Sequence, residues 1–282
     1  MINFLHLPVS PRAGALHIAV SQNYKMAENK PLITIIVAVL NNKESLERCI
    51  ESVNNQTYPY RELIIIDGGS KDGTVEILKN NDNKIAYWES KPDRGIYHAW
   101  NKALQYTRGE WICFLGADDY FWSKNVLTVL SPHLVKATNF GIKVVYGQAA
   151  RVDRNGRILK LIGKPWEKIR WLMPHGMPLP HTGLMHHRSL FEKHGLFDET
   201  FQIAGDYDFL LRELKNGEAL YARDLIVAGW QAGGISDFKF LFAHREIGRA
   251  RRKNGFHNLS WVWLAVHARG FFRAYWRQLV RK

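Results

Sequence analysis

Between residues 31 and 121, short runs of Ile, Val and Leu alternate with segments whose apolar residues recur every three or four positions. The runs at 33–40, 62–66, 85–88 and 110–115 predict strands, and the periodic segments at 45–54, 73–79 and 96–106 predict helices. In the first helix Leu46, Cys49, Ile50 and Val53 form one apolar stripe. Nearly continuous apolar strands joined by helices are the mark of a parallel sheet covered on both faces. The expected class is therefore α/β, with a doubly wound, mostly parallel sheet.

The second half is less regular. Segments 144–152 and 157–162 flank Asp153-Arg154-Asn155-Gly156, which reads as a hairpin turn. A Pro-rich loop with Pro174, Pro178 and Pro180 follows, then a helix at 189–194 and another starting around Asp206. Residues 1–30 contain Pro8, Pro11 and Gly14 without clear periodicity, and predict an extension outside the fold. Met26, just before the first strand, is a candidate native start.

A hydrophobic content of 46% over 282 residues supports a sizeable core. Cys49 and Cys113 both fall inside apolar segments without metal-ligand spacing, and read as small core residues in a reducing compartment. No apolar stretch approaches the ~20 residues of a spanning helix, and the first 30 residues lack the pattern of a signal peptide. The expected location is cytoplasmic, or peripheral on the cytoplasmic face of a membrane.

The net charge of +13 is unevenly spread: residues 239–282 hold eleven Lys and Arg against one acid, Glu246. Arg269, Arg273, Arg277 and Arg281 recur at every fourth position beside Phe271, Phe272, Tyr275, Trp276, Leu279 and Val280. A basic amphipathic helix of that kind suits an anionic membrane surface. The competing reading is a helix packed on the domain with a solvated Arg face. No nucleic-acid recognition motif accompanies the charge, so nucleic acid is not expected as a partner.

The chemistry falls at strand ends, where ligands bind in doubly wound sheets. Asn41-Asn42 follow the first strand, Asp67-Gly68-Gly69-Ser70-Lys71-Asp72-Gly73-Thr74 the second, and Asp118-Asp119 the fourth. Adjacent carboxylates repel each other and serve no core, so Asp118 and Asp119 point to a divalent cation or a sugar-nucleotide hydroxyl. An ordinary strand-to-helix turn with Asp72 as the helix cap would explain Asp72 and Gly73, but not Asp67 at the end of an Ile run. Neither a phosphate loop of the GxxxxGK[ST] kind nor GxGxxG is present.

Read together, Asn41-Asn42, Asp67-Gly-Gly-Ser-Lys-Asp-Gly-Thr, Asp93-Arg-Gly95-Ile-Tyr, Leu-Gly-Ala-Asp118-Asp119 and Gly205-Asp206-Tyr-Asp208-Phe-Leu-Leu-Arg212 resemble family 2 glycosyltransferases, in particular those of bacterial capsule, exopolysaccharide and O-antigen assembly. The resemblance runs from about Pro31 to Gly234 with its motifs in order. It implies a GT-A fold over 31–236, with a smaller mixed acceptor-side region and a basic helical tail at 237–282. It implies an inverting transfer of sugar from a nucleoside diphosphate donor, most simply a UDP-sugar, to a glycan or lipid-linked acceptor in surface polysaccharide synthesis.

Carried over by position, Asn41, Asp67, Asp93, Gly95 and Asp118 would bind the nucleotide sugar, with Asp67 on base or ribose. Asp119 would hold Mg²⁺ or Mn²⁺, and Asp206 would be the general base. By position alone Asp206 could equally be a helix cap. Gly116 stands where many members have Asp or Asn, and His98 and Trp100 replace an Asp and a Met common in that context.

His175, His181, His186, His187 and His194 invite a zinc site but lack companions at ligand spacing. Adjacent His186 and His187 would point apart on a strand. Only His181, in Leu-Pro-His-Thr-Gly, is expected on the acceptor side, and Gln231-Ala-Gly-Gly-Ile-Ser236 reads as a loop near the metal or a plain turn. Two rivals remain: a catalytically silent GT-A module acting as a membrane-bound assembly partner, and a nucleotidyltransferase, for which the basic, Gly-rich triphosphate loop is missing.

Overall fold

The apolar runs form strands β1 (Ile33–Val39), β2 (Arg61–Asp67) and β4 (Trp111–Gly116), each buried along nearly its whole length. The computed structural model describes residues 30–153, 156–231 and 240–257. β1 lies parallel to β2 on one side and to β4 on the other, and β3 (Tyr87–Ser90) adds in parallel to β2. In this register Val39 stands beside Asp67, Asp67 beside Ser90 and Ala38 beside Gly116. The carboxyl ends of all four strands therefore share one edge, and the chain that leaves them builds a single surface.

Helices cover both faces. Ile35, Val37, Leu63, Ile65, Cys113 and Leu115 meet α1 (Lys43–Asn54), α2 (Thr74–Asn80) and α4 (Val126–Asn139). Ile36, Ile64, Ile66, Ile112 and Phe114 meet α3 (Ile96–Leu104) and α7 (Gly205–Leu214), together with the short helices α5 (Trp166–Ile169) and α6 (Ser189–His194). Each fully buried Ile or Leu adds ~1.5–3 kcal/mol relative to exposure, which is why strands with two apolar faces dominate the core. Both cysteines are buried and free, Cys49 in α1 and Cys113 in β4.

The sheet continues past β4 with mixed direction. β8 (Met185–His187) runs antiparallel to β4 and to β6 (Val144–Val152), β9 (Ala219–Gln231) runs parallel to β6, and β5 (Tyr120–Phe121) closes the edge antiparallel to β9. β7 (Ile158–Ile162) pairs antiparallel with β6, as the hairpin pattern predicts; residues 154 and 155 of its turn lie outside the described residues.

α4 and β9, like the short β5 and α5, have no counterpart in the sequence pattern. α4 contains Pro132, whose ring nitrogen has no hydrogen for the Thr128 carbonyl; the Ser131 hydroxyl bonds that carbonyl instead, at 3.3 Å. β9 is broken by Asp224 at φ 60°, where its register against β6 slips.

The start of the basic segment is helix α8 (Phe240–Lys253), packed on α7. Residues 1–29, 232–239 and 258–282 lie outside the described residues, and with them most of the N-terminal extension, the 232–236 loop and the arginine stripe.

Candidate active site

The loop after β2 folds around Asp67, which is fully buried. Its carboxylate accepts the N–H groups of Gly69 and Ser70 at 3.1 and 3.0 Å and the hydroxyls of Ser70 and Ser90. Asp67 thus fixes the shape of residues 68–70 and locks the end of β3 to the end of β2. Asn41 adds the end of β1: its N–H donates to Ser70 Oγ at 2.7 Å and its Oδ1 accepts from Lys71 N at 2.9 Å. Asn41 sits at φ 50°, a left-handed conformation that Asn tolerates better than most residues. Asp72 accepts from Thr74 N and Lys43 N, both at 3.0 Å, but the residue in the cap position is Gly73 at φ 102°.

The loop after β3 carries Asp93, whose Oδ1 accepts the Gly95 N–H at 2.8 Å. A β-carbon on Gly68 would fall 2.8 Å from the other Asp93 oxygen, so these two loops are in direct contact. Gly95 opens α3 at φ 120°, ψ 176°, a conformation only glycine adopts without strain. Asn41, Asp93 and Gly95 therefore line one continuous rim of backbone and carboxylate, which the buried Asp67 shapes from beneath.

β4 ends in the two adjacent acids. Asp119 is 8% exposed; its Oδ2 accepts from Gly116 N at 2.9 Å and from the Thr182 hydroxyl. Burial, with the Asp118 charge next to it, pushes the Asp119 carboxyl up to about 6. Arg48 offsets part of that charge, donating to the Asp118 carbonyl at 3.0 Å and lying over the Tyr120 ring. A β-carbon at position 116 would sit 3.0 Å from both carboxylates, so glycine there makes room for the pair.

Among the described residues no group of three or more His, Cys, Asp or Glu forms a closed metal cage. Two carboxylates held in excess of local positive charge fit Mg²⁺ or Mn²⁺, which bind one or two carboxylates and take their remaining ligands from phosphate and water.

Asp206 lies in the first turn of α7, two residues after the cap position, which Ala204 occupies without a side-chain bond. The helix-cap reading of Asp206 therefore does not apply. Tyr97, from the first turn of α3, shares its hydroxyl proton between the Ile203 carbonyl at 2.6 Å and Asp206 Oδ1 at 3.2 Å. Burial and the Asp206 charge hold the Tyr97 phenol well above its ordinary range, so it remains a donor.

Asp206 Oδ2 has no hydrogen bond among the described residues and stands 3.9 Å from His181 Nδ1. The His181 ring stacks on Trp100 and Phe114 at 5.3 and 5.9 Å between centroids. Burial lowers its affinity for a proton, with Asp206 opposing. It is held as a largely neutral imidazole beside the carboxylate.

His181 and Thr182 are neighbours in the chain. One touches Asp206 and the other holds Asp119, so the 181–182 loop joins the acid pair of β4 to the acid of α7. Asp93, Gly95 and Tyr97 similarly carry the rim of the β2 and β3 loops to the turn that holds Asp206. The predicted residues thus form one surface. Asp208 faces away, fully buried against Arg212, Lys253 and Asn254.

Three contributors escape the sequence reading: Thr182, Tyr97 and Arg48. The first two lie inside motifs already noted, but nothing in one dimension pairs Thr182 with Asp119. The other histidines serve structure: His187 meets Ser189 and Glu110, His194 meets Glu213, and His186 is fully buried. A cavity of about 660 Å³, lined by Phe140, Glu167, Glu218 and Tyr221 among others, opens where β6 and β9 begin. It holds none of these acids and lies at the opposite end of the strands from them.

Comparison with known proteins gives a consistent result. The model of glycosyl transferase family 2 matches residues 34–195. An uncharacterized glycosyltransferase of Mycobacterium tuberculosis is 31% identical over 80% of this chain and 84% of its own. A PGL/p-HBAD biosynthesis glycosyltransferase of Mycobacterium bovis is 28% identical over 73% of this chain and 80% of its own. The crystal structure of S. aureus TarS 1–349 in complex with UDP superimposes with a TM-score of 0.59 at 19% identity, covering 81% of this chain and 67% of that one. The mannosyltransferase PcManGT from Pyrobaculum calidifontis, in complex with GDP-Man and Mn²⁺, gives 0.53 at 17% identity, covering 93% and 88%. These likenesses establish the GT-A fold.

Proposed function

The chain belongs to glycosyl transferase family 2, and from that premise we propose that it moves a sugar from a UDP-sugar to a hydroxyl of a glycan or lipid-linked acceptor, with inversion. The observation that carries this reading is the bridge through His181 and Thr182, which sets an acid pair, its Asp119 buried, beside a separately held carboxylate. The nucleotide lies along the rim of Asn41, Asp93 and Gly95, whose shape Asp67 sets from beneath, where backbone N–H groups and a carboxylate suit ribose and base. Asp118 and Asp119 would hold Mg²⁺ or Mn²⁺, which when bound would supply positive charge to a diphosphate leaving group. UDP in the TarS complex and Mn²⁺ in the mannosyltransferase complex support this choice of ligands by analogy of fold.

Asp206 is the general base. Its Oδ1 is engaged by Tyr97, which leaves Oδ2 to take the acceptor hydroxyl proton as that oxygen bonds to the anomeric carbon. The bond from that carbon to the diphosphate oxygen breaks on the opposite face, which inverts the centre. Neutral His181 adds no positive charge to pair with the base. It walls the acceptor side through its stack on Trp100.

Among the described residues no helix is long and apolar enough to cross a membrane. Peripheral attachment on the cytoplasmic face through the basic 258–282 segment, which would bring the site to a lipid-linked acceptor, is part of the same proposal.

The test is Asp206→Asn, with UDP-glucose, UDP-galactose, UDP-GlcNAc and GDP-mannose each offered with Mn²⁺. The variant should bind the preferred donor as the parent does, by thermal shift, and turn over ~10²-fold more slowly. A parent that binds none of these nucleotides, or a variant that transfers at the parental rate, counts against the proposal.

A further inference from the structure

The one acid in the basic segment 239–282 is Glu246, in the middle of α8, and it is 5% exposed. Its carboxylate reaches across 42–44 positions of sequence to the loop before α7. Oε2 accepts the N–H groups of Ile203 at 2.7 Å, Ala204 at 3.0 Å and Gln202 at 3.2 Å; Oε1 accepts Gln202 at 2.9 Å. Three successive backbone donors at the start of a helix converge on one side chain from another element.

The reason lies in the local sequence. Ala204 occupies the cap position of α7, and the N–H groups of residues 202–204, which lead into the helix, need an acceptor from another element. Glu246 supplies it, with a charge of the sign that a helix N-terminus favours. The same loop is held from its other side, because the Ile203 carbonyl accepts the Tyr97 hydroxyl that also reaches Asp206. Residue 203 is thus pinned at both its N–H and its C=O, and Asp206 follows three residues later.

The rest of α8 reinforces the grip. Arg249 lies 3.7 Å from the centre of the Phe201 ring, Arg251 Nε donates to the Pro174 carbonyl at 2.7 Å, and Lys253 and Asn254 bond to Asp208 on α7 at 3.1 and 3.0 Å.

We infer that Glu246 is a positioning residue for Asp206, and that α8 is a working part of the catalytic domain and not an appended tail. The inference rests on the reading of Asp206 as the base. Glu246 touches neither donor nor acceptor; it sets the backbone from which the carboxylate of Asp206 projects. A glutamine keeps the size of the side chain but offers one acceptor where the loop uses two, and turns an N–H group toward a backbone N–H.

The experiment compares Glu246→Gln with Arg251→Met, which loosens the same helix without touching residues 202–204, and with Asp206→Asn. Amide hydrogen exchange over residues 202–207 should quicken ~10-fold or more in Glu246→Gln, and change little in Arg251→Met. With whichever of UDP-glucose, UDP-galactose, UDP-GlcNAc or GDP-mannose the parent turns over fastest with Mn²⁺, Glu246→Gln should lower kcat by ~10²-fold at unchanged donor KM. On an Asp206→Asn background the same change should cost nothing further, since both act through one group.

Unchanged exchange at 202–207, or a kcat loss no greater than that of Arg251→Met, overturns the inference while an inactive Asp206→Asn leaves the base in place. A fully active Asp206→Asn overturns both.

Discussion

Gly205, the residue before the proposed base, has no room for a side chain unless Tyr97 moves. A β-carbon built there lies 2.8 Å from both Cε2 and Cζ of Tyr97 and 3.0 Å from its Cδ2. Ordinary carbon–carbon contact begins at ~3.5 Å, so ring and helix must separate by roughly 0.7 Å. The ring has nowhere easy to go: Tyr97 is 3% exposed and packs against Trp100 and Phe197 at 5.4 and 5.8 Å between centroids. Its hydroxyl is already 3.2 Å from Asp206, and a retreat of that size breaks the contact. Overpacking of this kind costs about 1–3 kcal/mol, which for a chain of this size lowers Tm by roughly 2–10 °C.

Activity should fall further than stability, because a shift near 1 Å in a reacting group costs about 10²-fold. Gly205→Ala is therefore expected to stay folded at 25 °C, melt a few degrees early and lose about two orders of magnitude in kcat. Tyr97→Phe separates the two effects: it keeps the ring volume and should lose rate with a smaller change in Tm. Differential scanning calorimetry and nucleotide-release kinetics on both variants decide the matter. A Gly205→Ala protein with parental Tm and kcat would refute the claim that this close approach orients Asp206.

Two further predictions follow from charge. Asp119 has its pKa raised from 3.8 to about 6, so the folded state binds its proton more tightly than the unfolded chain does, and this group's contribution to stability grows as pH falls through 6 toward 4. Metal-free Asp119→Asn should thus be more stable than the parent at pH 7.5, by on the order of 1–3 kcal/mol, with the gap closing near pH 4.5 and Mn²⁺-dependent donor binding lost; a variant less stable than the parent at pH 7.5 would contradict the electrostatic reading. Arg273→Glu with Arg277→Glu should abolish co-sedimentation with vesicles rich in anionic lipid, each Arg near the surface being worth ~1 kcal/mol, and equal sedimentation by variant and parent would remove the membrane proposal.

What could be read from the sequence, and what could not, divides along a physical line. Ile33–Val39, Arg61–Asp67 and Trp111–Gly116 are legible because a parallel strand buried on both faces must be apolar at successive positions. Once they are placed, the topology does the rest: residues that leave parallel strands at the same edge are neighbours, so Asn41, Asp67 and Asp118-Asp119 fall together however far apart they lie in the chain. β9 shares that direction against β6 but is interrupted at Asp224, and the kink destroys the run that would have announced it. α4 keeps helical spacing at Val126, Leu127, Leu130 and Leu134, yet Pro132 argues against a helix to any reader who cannot see Ser131 replacing the missing donor.

The contacts that give Asp206 a chemical role belong to a different kind of information. Thr182 finds Asp119 across 63 positions, Tyr97 finds Asp206 across 109, and Glu246 finds Ala204 across 42. No period or turn signal encodes such pairs; the first exists because β8 inserts antiparallel between β4 and β6 and carries the 181–182 loop to the edge where the parallel strands end, and the others because α3 and α8 both pack on α7. Yet each partner leaves a trace where local physics has no use for it. Ala204 opens a helix without a capping side chain, and Glu246, the one acid among eleven cations, has Arg249 beside it at 3.9 Å yet turns its carboxylate to residues 202–204. The chain that leads into α7 and the one acid of the basic segment are two halves of one interaction. Sequence shows both, and only the fold brings them within 3 Å.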